Sequence, residues 1–204
     1  MQIKTTLLLA ATLALTACSS GNDTKTPKEP ATGITPTAAS ATPQKTEAPA
    51  EASYANLAEA IAGIKPTMTD TSNEVSSGAV SMALWSADNL KWSELQGLPK
   101  TKPSLVMKDS EEQRGKLICA TGNIIEIASE KAEGKKFFEG GLYDSNGTVF
   151  RFIAVKSSGE LVEQSRSTLC GVVIGKQDYS NSMGGVAHAV FLVGMFKLPE
   201  NTNS

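Results

Sequence analysis

Short apolar runs separated by turn-forming residues fill the carboxyl-terminal half of the chain. Five such runs, rich in Val, Ile, Phe and small residues, occupy residues 116–127, 136–144, 148–155, 168–175 and 186–196. Runs of this length, bounded by Gly, Asn, Asp and Ser, are typical of β-strands. An Asn146-Gly147 pair between the second and third runs predicts a tight hairpin. The pattern therefore predicts a mostly β domain over residues 104–199.

Upstream of these strands, apolar residues recur at helical spacing. A first amphipathic helix is predicted where the apolar positions are Tyr54, Leu57, Ala60, Ile61 and Ile64. It ends where the chain reaches a proline, which disfavours helix at the residue before it. A second helix is predicted over residues 80–95, which contain both tryptophans, Trp85 and Trp92. They share a helical face unless Asp88-Asn89 forms a turn, and such a pair most often packs against a core.

The amino terminus has the layout of an export signal. Lys4 supplies a positive charge, residues 7–15 are apolar, and Leu15-Thr16-Ala17-Cys18 ends the run with small residues before a cysteine. The run is too short to cross a bilayer, which takes about 20 apolar residues. The segment resembles the bacterial lipobox, in which a peptidase cuts before the cysteine and diacylglycerol is attached to its sulfur. The resemblance implies a signal peptide over residues 1–17 and a membrane anchor on Cys18.

The resemblance also implies a location. Ser19, and not an aspartate, follows the cysteine. In Gram-negative lipoproteins an aspartate at that position favours retention in the inner membrane, so Ser19 implies transport to the outer membrane. We therefore expect a lipid-anchored protein of the cell envelope that faces the periplasm.

Composition divides the remaining chain. The 204 residues carry a net charge of −2 and are 40% hydrophobic, enough for one modest core and at most two domains. Residues 18–53 are mainly Thr, Ala, Pro, Lys and Glu, and bury too little apolar surface to offset chain entropy. We predict a disordered tether over residues 18–53, a helical segment over 54–103, the β domain over 104–199 and a disordered tail over 200–204.

The order of the predicted β elements resembles that of an OB-fold. The elements are a long first strand interrupted by Gly122, a tight hairpin, space for a helical turn at residues 159–165 and a final pair of strands. The resemblance covers residues 106–198 and implies a five-stranded Greek-key barrel preceded by one or two short helices. Gly171 and Gly175 suit the close strand crossings of a small barrel. The alternative is an α+β fold, an antiparallel sheet packed on the helices.

Three cysteines remain to be assigned. If Cys18 carries lipid, Cys119 and Cys170 form an even pair in an oxidising compartment. They lie in the first and fourth predicted strands, which are neighbours in an OB barrel. We therefore predict a disulfide between them, with two buried free thiols as the alternative.

Residues that carry catalysis are sparse in this sequence. The one histidine, His188, lies in an alternating apolar run, where a structural position is the simpler interpretation. No zinc-ligand spacing, phosphate-binding loop, dinucleotide fingerprint or Gly-x-Ser-x-Gly elbow occurs. We therefore expect a non-enzymatic protein without a metal or cofactor. A hydrolase that combines His188 with an acidic and a hydroxyl side chain is the enzyme alternative.

Charge balance bears on the class of ligand. Residues 104–199 contain eleven basic and eleven acidic side chains. A groove that follows a phosphate backbone needs a basic excess and stacking aromatics, so we do not expect nucleic acid. OB domains also bind proteins and saccharides. We expect a protein or cell-wall saccharide ligand, with an inhibitor or immunity partner of a secreted toxin as an alternative.

The resemblance to OB domains finally implies a ligand surface. OB ligands usually lie across strands two and three, between the loops that join strands one to two and four to five. In this sequence that surface comprises Tyr143, Arg151, Lys135, Tyr179 and Asn181. Arg151 stands between Phe150 and Phe152 and turns outward if both phenylalanines face the core. An outward arginine near a tyrosine suits a protein interface, although a solvated arginine and a structural tyrosine are the plainer interpretation.

Overall fold

The computed structural model describes residues 53–180 and 184–199. The predictions for Cys18, Asn181, the signal peptide, most of the tether and the tail lie outside the described residues. The helices are α1 (Leu57–Ile64), α2 (Ser77–Asn89), α3 (Trp92–Gly97), α4 (Pro103–Lys108) and α5 (Ser110–Gln113). The strands are β1 (Thr71–Ser72), β2 (Leu117–Ala132), β3 (Lys135–Asp144), β4 (Val149–Ala154), β5 (Arg166–Ser180) and β6 (Val186–Phe196). Among the described helices, none has the length and apolar character to cross a membrane.

The five long strands form a closed ring of hydrogen-bonded neighbours. β2 pairs antiparallel with β3, β3 pairs antiparallel with β4, and β4 runs parallel to β6. β6 pairs antiparallel with β5, which returns to β2 and closes the ring. The short β1 runs parallel to β5. The protein is therefore mostly β, with a mixed six-stranded sheet and a few short helices, and the five predicted strands are confirmed.

Alternate side chains of the strands point into the ring and form an inner core. This core contains Phe150 and Phe152 of β4, both 1% exposed, and Phe152 packs edge to face on Phe196 with ring centroids 5.3 Å apart. Val106 of α4 belongs to the same cluster and is fully buried. Because Val106 comes from outside the ring, α4 contributes a side chain to the space that the strands enclose.

A second core lies between the outside of the ring and the amino-terminal helices. On the strand side it contains outward-facing residues such as Ile153, Val172 and Phe191, and on the helix side it contains Leu57 and Met82. These side chains are all at most 5% exposed. The helices therefore cover part of the outer surface of the ring and leave the rest to solvent.

Local signals explain where the first two helices begin. The Asn56 side chain accepts a hydrogen bond from the Glu59 N–H, and the Glu59 carboxylate accepts one from the Ala55 N–H. This reciprocal pattern satisfies amide groups that would otherwise have no partner at a helix start. The Ser76 hydroxyl performs the capping role for α2 by accepting from the Ala79 N–H.

Two of the glycines chosen from the sequence, Gly122 and Gly171, lie where backbones approach closely, whereas a Cβ at Gly175 would meet the Asp70 side chain. A Cβ at Gly122 would overlap the Tyr143 carbonyl of β3, and one at Gly171 would lie 2.8 Å from the Val193 carbonyl oxygen of β6. Gly194 is opposite Gly171 in the register, and a Cβ there would overlap the Cys170 carbonyl. Side chains at these positions would force the strands apart, so the glycines permit ring closure.

Cys119 and Cys170 are joined by a disulfide. The two residues are directly opposite in the register of β2 and β5, and their Cα atoms are 4.0 Å apart. The predicted pairing is therefore confirmed, and it fastens the two strands at which the ring closes.

Three details of the sequence-based prediction need correction. Residues 159–165 contain turns and no helix, because Gly159 and Gln164 adopt left-handed backbone conformations. The single helix predicted over 80–95 is two helices, which separate at the extended Leu90 and Lys91. The short helices α4 and α5 were not predicted.

Candidate functional site

The outer surface of β2, β3 and β4 carries two of the predicted ligand residues, Tyr143 and Arg151. Gly141 of β3 lies opposite Arg151 of β4, and Tyr143 lies opposite Val149. The side chain of Ile125, on β2, stands beside Gly141 and is 41% exposed. Because Gly141 has no side chain, the side chains of Arg151 and Ile125 lie over this position, 3.5 and 3.6 Å from where a Cβ would be.

Arg151 occupies the centre of this surface. Phe150 and Phe152 point into the inner core, so strand alternation directs Arg151 outward, as the sequence predicts. Its guanidinium is paired with the carboxylate of Glu126 on β2. Both side chains are partly exposed, so the pair orients the arginine without removing it from solvent.

Arg151 and Tyr179 line one groove, which joins the ends of β4 and β5. The groove has a volume of about 350 Å³, and its walls include Ile125, Val149 and Gln177. The Gln177 amide donates to the backbone carbonyl of Glu74 at 2.6 Å, which fixes this wall to the segment after β1. The structure therefore brings together two predicted ligand residues that are far apart in the sequence.

The other predicted ligand residues lie elsewhere or outside the described residues. The Tyr143 hydroxyl accepts a hydrogen bond from the Asn123 amide at 3.2 Å on the same outer surface, and Tyr143 is 40% exposed. Lys135 starts β3 and forms an ion pair with Asp88 of α2 at 3.1 Å. Lys135 therefore belongs to a different cavity from Arg151, lined also by Trp85. Asn181 is not described.

The electrostatics around Arg151 are predominantly acidic. A second hollow next to Arg151 is lined by Glu126, Glu130, Glu139 and Glu163. Partial burial raises the pKa of Glu139, and the negative charge of Glu130 raises it further, whereas Arg151 acts in the opposite direction. Arg151 is therefore the positive centre of an otherwise negative surface.

The histidine of the enzyme alternative has an acidic neighbour. His188 Nδ1 lies 2.6 Å from Asp178 Oδ1, because the two residues are opposite each other on β6 and β5. Their side chains are 60% and 39% exposed. The carboxylate orients the imidazole, but no hydroxyl side chain among the described residues is hydrogen bonded to it. In residues 53–180 and 184–199, no three His, Cys, Asp or Glu side chains converge to hold a metal ion.

Two residues of the groove, Ile125 and Glu126, were missed from the sequence. The register of β2 and β3 shifts between Ile124 and Glu126, so that Ile125 is an extra residue in a β-bulge. Alternation already turns Ile125 outward, because its neighbour Ile124 is fully buried in the inner core. The bulge turns Glu126 outward as well, so that its carboxylate reaches Arg151. The consecutive isoleucines, which interrupt the alternation of the strand, were the available signal.

Comparison with known proteins gives no further guide to the site. No protein-family model matches the chain, and no curated protein matches it.

Proposed function

We propose that this chain is a bacterial envelope lipoprotein, acylated at Cys18, whose ring of strands is an OB-type barrel that binds a protein ligand. The ligand lies on the outer surface of β2, β3 and β4, in the groove shared by Arg151 and Tyr179. The protein performs no chemistry on this ligand. The acyl chains hold it at the periplasmic side of the outer membrane, and the tether lets the barrel reach its partner.

The pairing of the strands supports an OB-type barrel. β2 lies between β3 and β5, so the first long strand pairs with the second and the fourth, as in OB domains. The pairing of β4 with β6 gives each of the five long strands two neighbours among the other four. A departure is the absence of a helix in residues 159–165, and Val106 of α4 takes a place in the inner core instead. Although α4, and not a helix in residues 159–165, contributes to the inner core, the outer surface of β2, β3 and β4 remains free for a ligand.

The observation that carries the proposal is the groove shared by Arg151 and Tyr179. Arginine and tyrosine are frequent anchors of protein interfaces, because each combines a flat apolar surface with hydrogen-bonding groups. Exposed Ile125 lies in the same groove and offers apolar contact. A nucleic acid is disfavoured by the four glutamates around Arg151, which would repel phosphates.

The experiment places a photo-crosslinking amino acid at Ile125 or at Leu105 in whole cells. Both side chains are similarly exposed, at 41% and 44%, but Leu105 lies on α4, away from the groove. We expect a discrete protease-sensitive adduct from position 125 and none from position 105. Irradiation of cells that also carry Arg151→Ala or Tyr179→Ala should give much less adduct.

The control variant is Lys197→Ala, which removes an exposed cation just after the far end of β6. It should leave the yield of adduct unchanged. Equal yields from positions 125 and 105, or adducts that neither Arg151→Ala nor Tyr179→Ala reduces, would exclude this groove. An adduct that lysozyme degrades and proteases do not would replace the protein ligand by a cell-wall saccharide.

A further inference from the structure

A second cavity lies between the amino-terminal helices and the tip of the β2–β3 hairpin. Its volume is about 480 Å³, within the range of roughly 300–1,000 Å³ that is usual for small-molecule sites. Two aromatic side chains, Tyr54 and Trp85, share its lining with the polar side chains of Ser81, Asn89 and Glu133. It is separate from the groove of Arg151, with which it has no lining residue in common.

The aromatic side chains of this cavity are held in place. The Trp85 indole N–H donates to the backbone carbonyl of Tyr54 at 3.2 Å, so the indole has its hydrogen bond within the protein. The Tyr54 ring lies against Gly63 of α1, where a Cβ would come within 2.7 Å of ring atom Cζ. The glycine therefore provides the space that the ring occupies. Both rings present fixed apolar surface to the cavity.

The backbone at the rim of the cavity is fixed as well. Lys156 donates from Nζ to the carbonyl oxygens of Ala87 and Asp88, at 2.7 and 3.0 Å, and thus satisfies the last turn of α2. The Asn89 amide nitrogen donates to the Trp85 carbonyl at 3.0 Å. The tip of the hairpin is a two-residue turn, in which Glu133 and Gly134 both have positive φ.

The polar side chains offer both donors and acceptors with little net charge. Lys135 and Asp88 neutralise each other across the rim, with Nζ and Oδ2 3.1 Å apart. Within the described part of the chain, the side chains of Ser81 and Glu133 have no hydrogen-bond partner, and the Asn89 amide oxygen has none either. These groups are available to a ligand that both donates and accepts hydrogen bonds.

We infer that this cavity binds a saccharide, with an uncharged sugar ring against Trp85 and its hydroxyls on Asn89, Ser81 and Glu133. A sugar ring has an apolar face of C–H groups, which packs on the negative face of an aromatic ring, and a rim of hydroxyls that donate and accept. A phosphate or carboxylate ligand would meet the unpaired carboxylate of Glu133. This site is independent of the proposed protein ligand, because the two sites share no residue.

The test uses tryptophan fluorescence of the purified full-length protein in detergent. Trp92→Phe leaves Trp85 as the single tryptophan, and a thermal melt verifies that this variant is folded. The probes are the trimer of N-acetylglucosamine and maltotriose, two uncharged oligosaccharides. We expect at least one of them to change the Trp85 emission in a saturable way. Calorimetric titration of the unmodified protein gives a second measurement that does not depend on the tryptophan variant.

Variants of the polar side chains locate the binding. Asn89→Ala and Ser81→Ala should each weaken binding by about fivefold to tenfold, the effect of one lost hydrogen bond. Ser93→Ala, at an exposed serine in the first turn of α3, and Arg151→Ala should leave the affinity unchanged. The inference is overturned if neither oligosaccharide binds at tens of millimolar, or if the Asn89→Ala, Ser81→Ala double variant binds as the parent does. Binding of cationic glucosamine oligomers alone would also overturn it.

Discussion

The carboxylate of Asp70 accepts a hydrogen bond from the backbone N–H of Lys176 at 2.9 Å and thereby joins the segment before β1 to β5, just after the register of β5 with β6 shifts between Val173 and Gly175. The same carboxylate accepts from the Ser110 hydroxyl at 2.7 Å and from the Arg114 guanidinium at 3.2 Å. Partial burial opposes ionisation, but these hydrogen bonds and the Lys176 ammonium together lower the pKa of Asp70. The ionised Asp70 therefore stabilises the attachment of the helices to the ring.

Asp70→Asn should destabilise the protein at neutral pH by roughly 1–2 kcal/mol. This is less than a buried charged hydrogen-bond network would contribute, because the Asp70 side chain is 36% exposed. Since the pKa is lower in the folded protein, the contribution is complete above the unfolded pKa and disappears as pH falls through the folded value. The stabilities of the variant and the parent should therefore begin to converge as pH falls below about 4, and should become equal only below the folded pKa, as measured by urea unfolding. A difference that stays constant down to pH 2 would contradict this assignment.

Reduction of the Cys119–Cys170 disulfide should lower the melting temperature by about 10 °C. The bridge joins residues 51 apart, for which the chain-entropy model gives about 4 kcal/mol. In a domain of this size each kcal/mol corresponds to roughly 2–4 °C. Calorimetry with and without reductant measures the shift, and Cys119→Ala, Cys170→Ala serves as the control that reductant should not affect. Two reactive thiols in the non-reduced protein would show that no bridge forms in solution.

Gly194→Ala should prevent the ring from closing. The added Cβ would overlap the Cys170 carbonyl and the Gly171 Cα, both backbone atoms of a buried strand, so the cost should exceed about 3 kcal/mol. Gly97→Ala is the matched control, because no atom lies within 4 Å of its Cβ position in α3. It should be neutral or stabilise the helix by up to about 1 kcal/mol. Circular dichroism and thermal melts of both variants test the contrast.

Arg151→Ala should change the stability by less than about 1 kcal/mol. The ion pair with Glu126 is partly exposed, and such pairs contribute little. Phe152→Ala, one position along the same strand, should by contrast cost about 3–5 kcal/mol, because it empties part of the inner core. Chemical unfolding of both variants provides the comparison. A large destabilisation by Arg151→Ala would mean that a loss of crosslinking in this variant results from unfolding and not from a lost contact with the ligand.

Cys18→Ala should abolish acylation. The sulfur of Cys18 is the attachment point implied by the lipobox, and an alanine offers no nucleophile for it. Cells grown with a labelled fatty acid should incorporate label into the parent and into Cys119→Ala, but not into Cys18→Ala. Equal labelling of all three proteins would exclude the lipid anchor.

Much of the ring could be predicted from the sequence, because strands buried on one or both faces have a strong local signature. The alternation around Arg151 indicates an extended strand, and the Asn146-Gly147 pair indicates a turn. Both signals lie within a few residues. The turn itself is closed by a hydrogen bond from the Gly147 N–H to the Asp144 carbonyl, and Gly147 has a positive φ.

The rest depends on contacts between distant residues. The polar segment before α2 shows no pattern that predicts β1 or the three contacts of Asp70, because its partners lie 40 or more residues away. Likewise, the β2–β3 hairpin extends to Ala132 although its arms are polar, since pairing with the other arm replaces hydrophobic burial. The position of Lys135 beside Asp88, and not beside Arg151, follows from this extension.

The closed ring also determines when the chain can fold. β2 pairs with β5, and both β4 and β5 pair with β6, so a nascent chain that stops before Val186 leaves β4 and β5 each with one unpaired edge. Pairings between distant segments are slow to form, and the helices have little to pack on until the outward faces of β5 and β6 exist. We therefore expect the ring to be completed only after the last strand has been synthesised. A chain with this order of assembly keeps the free edges of β4 and β5 exposed until its synthesis is nearly complete.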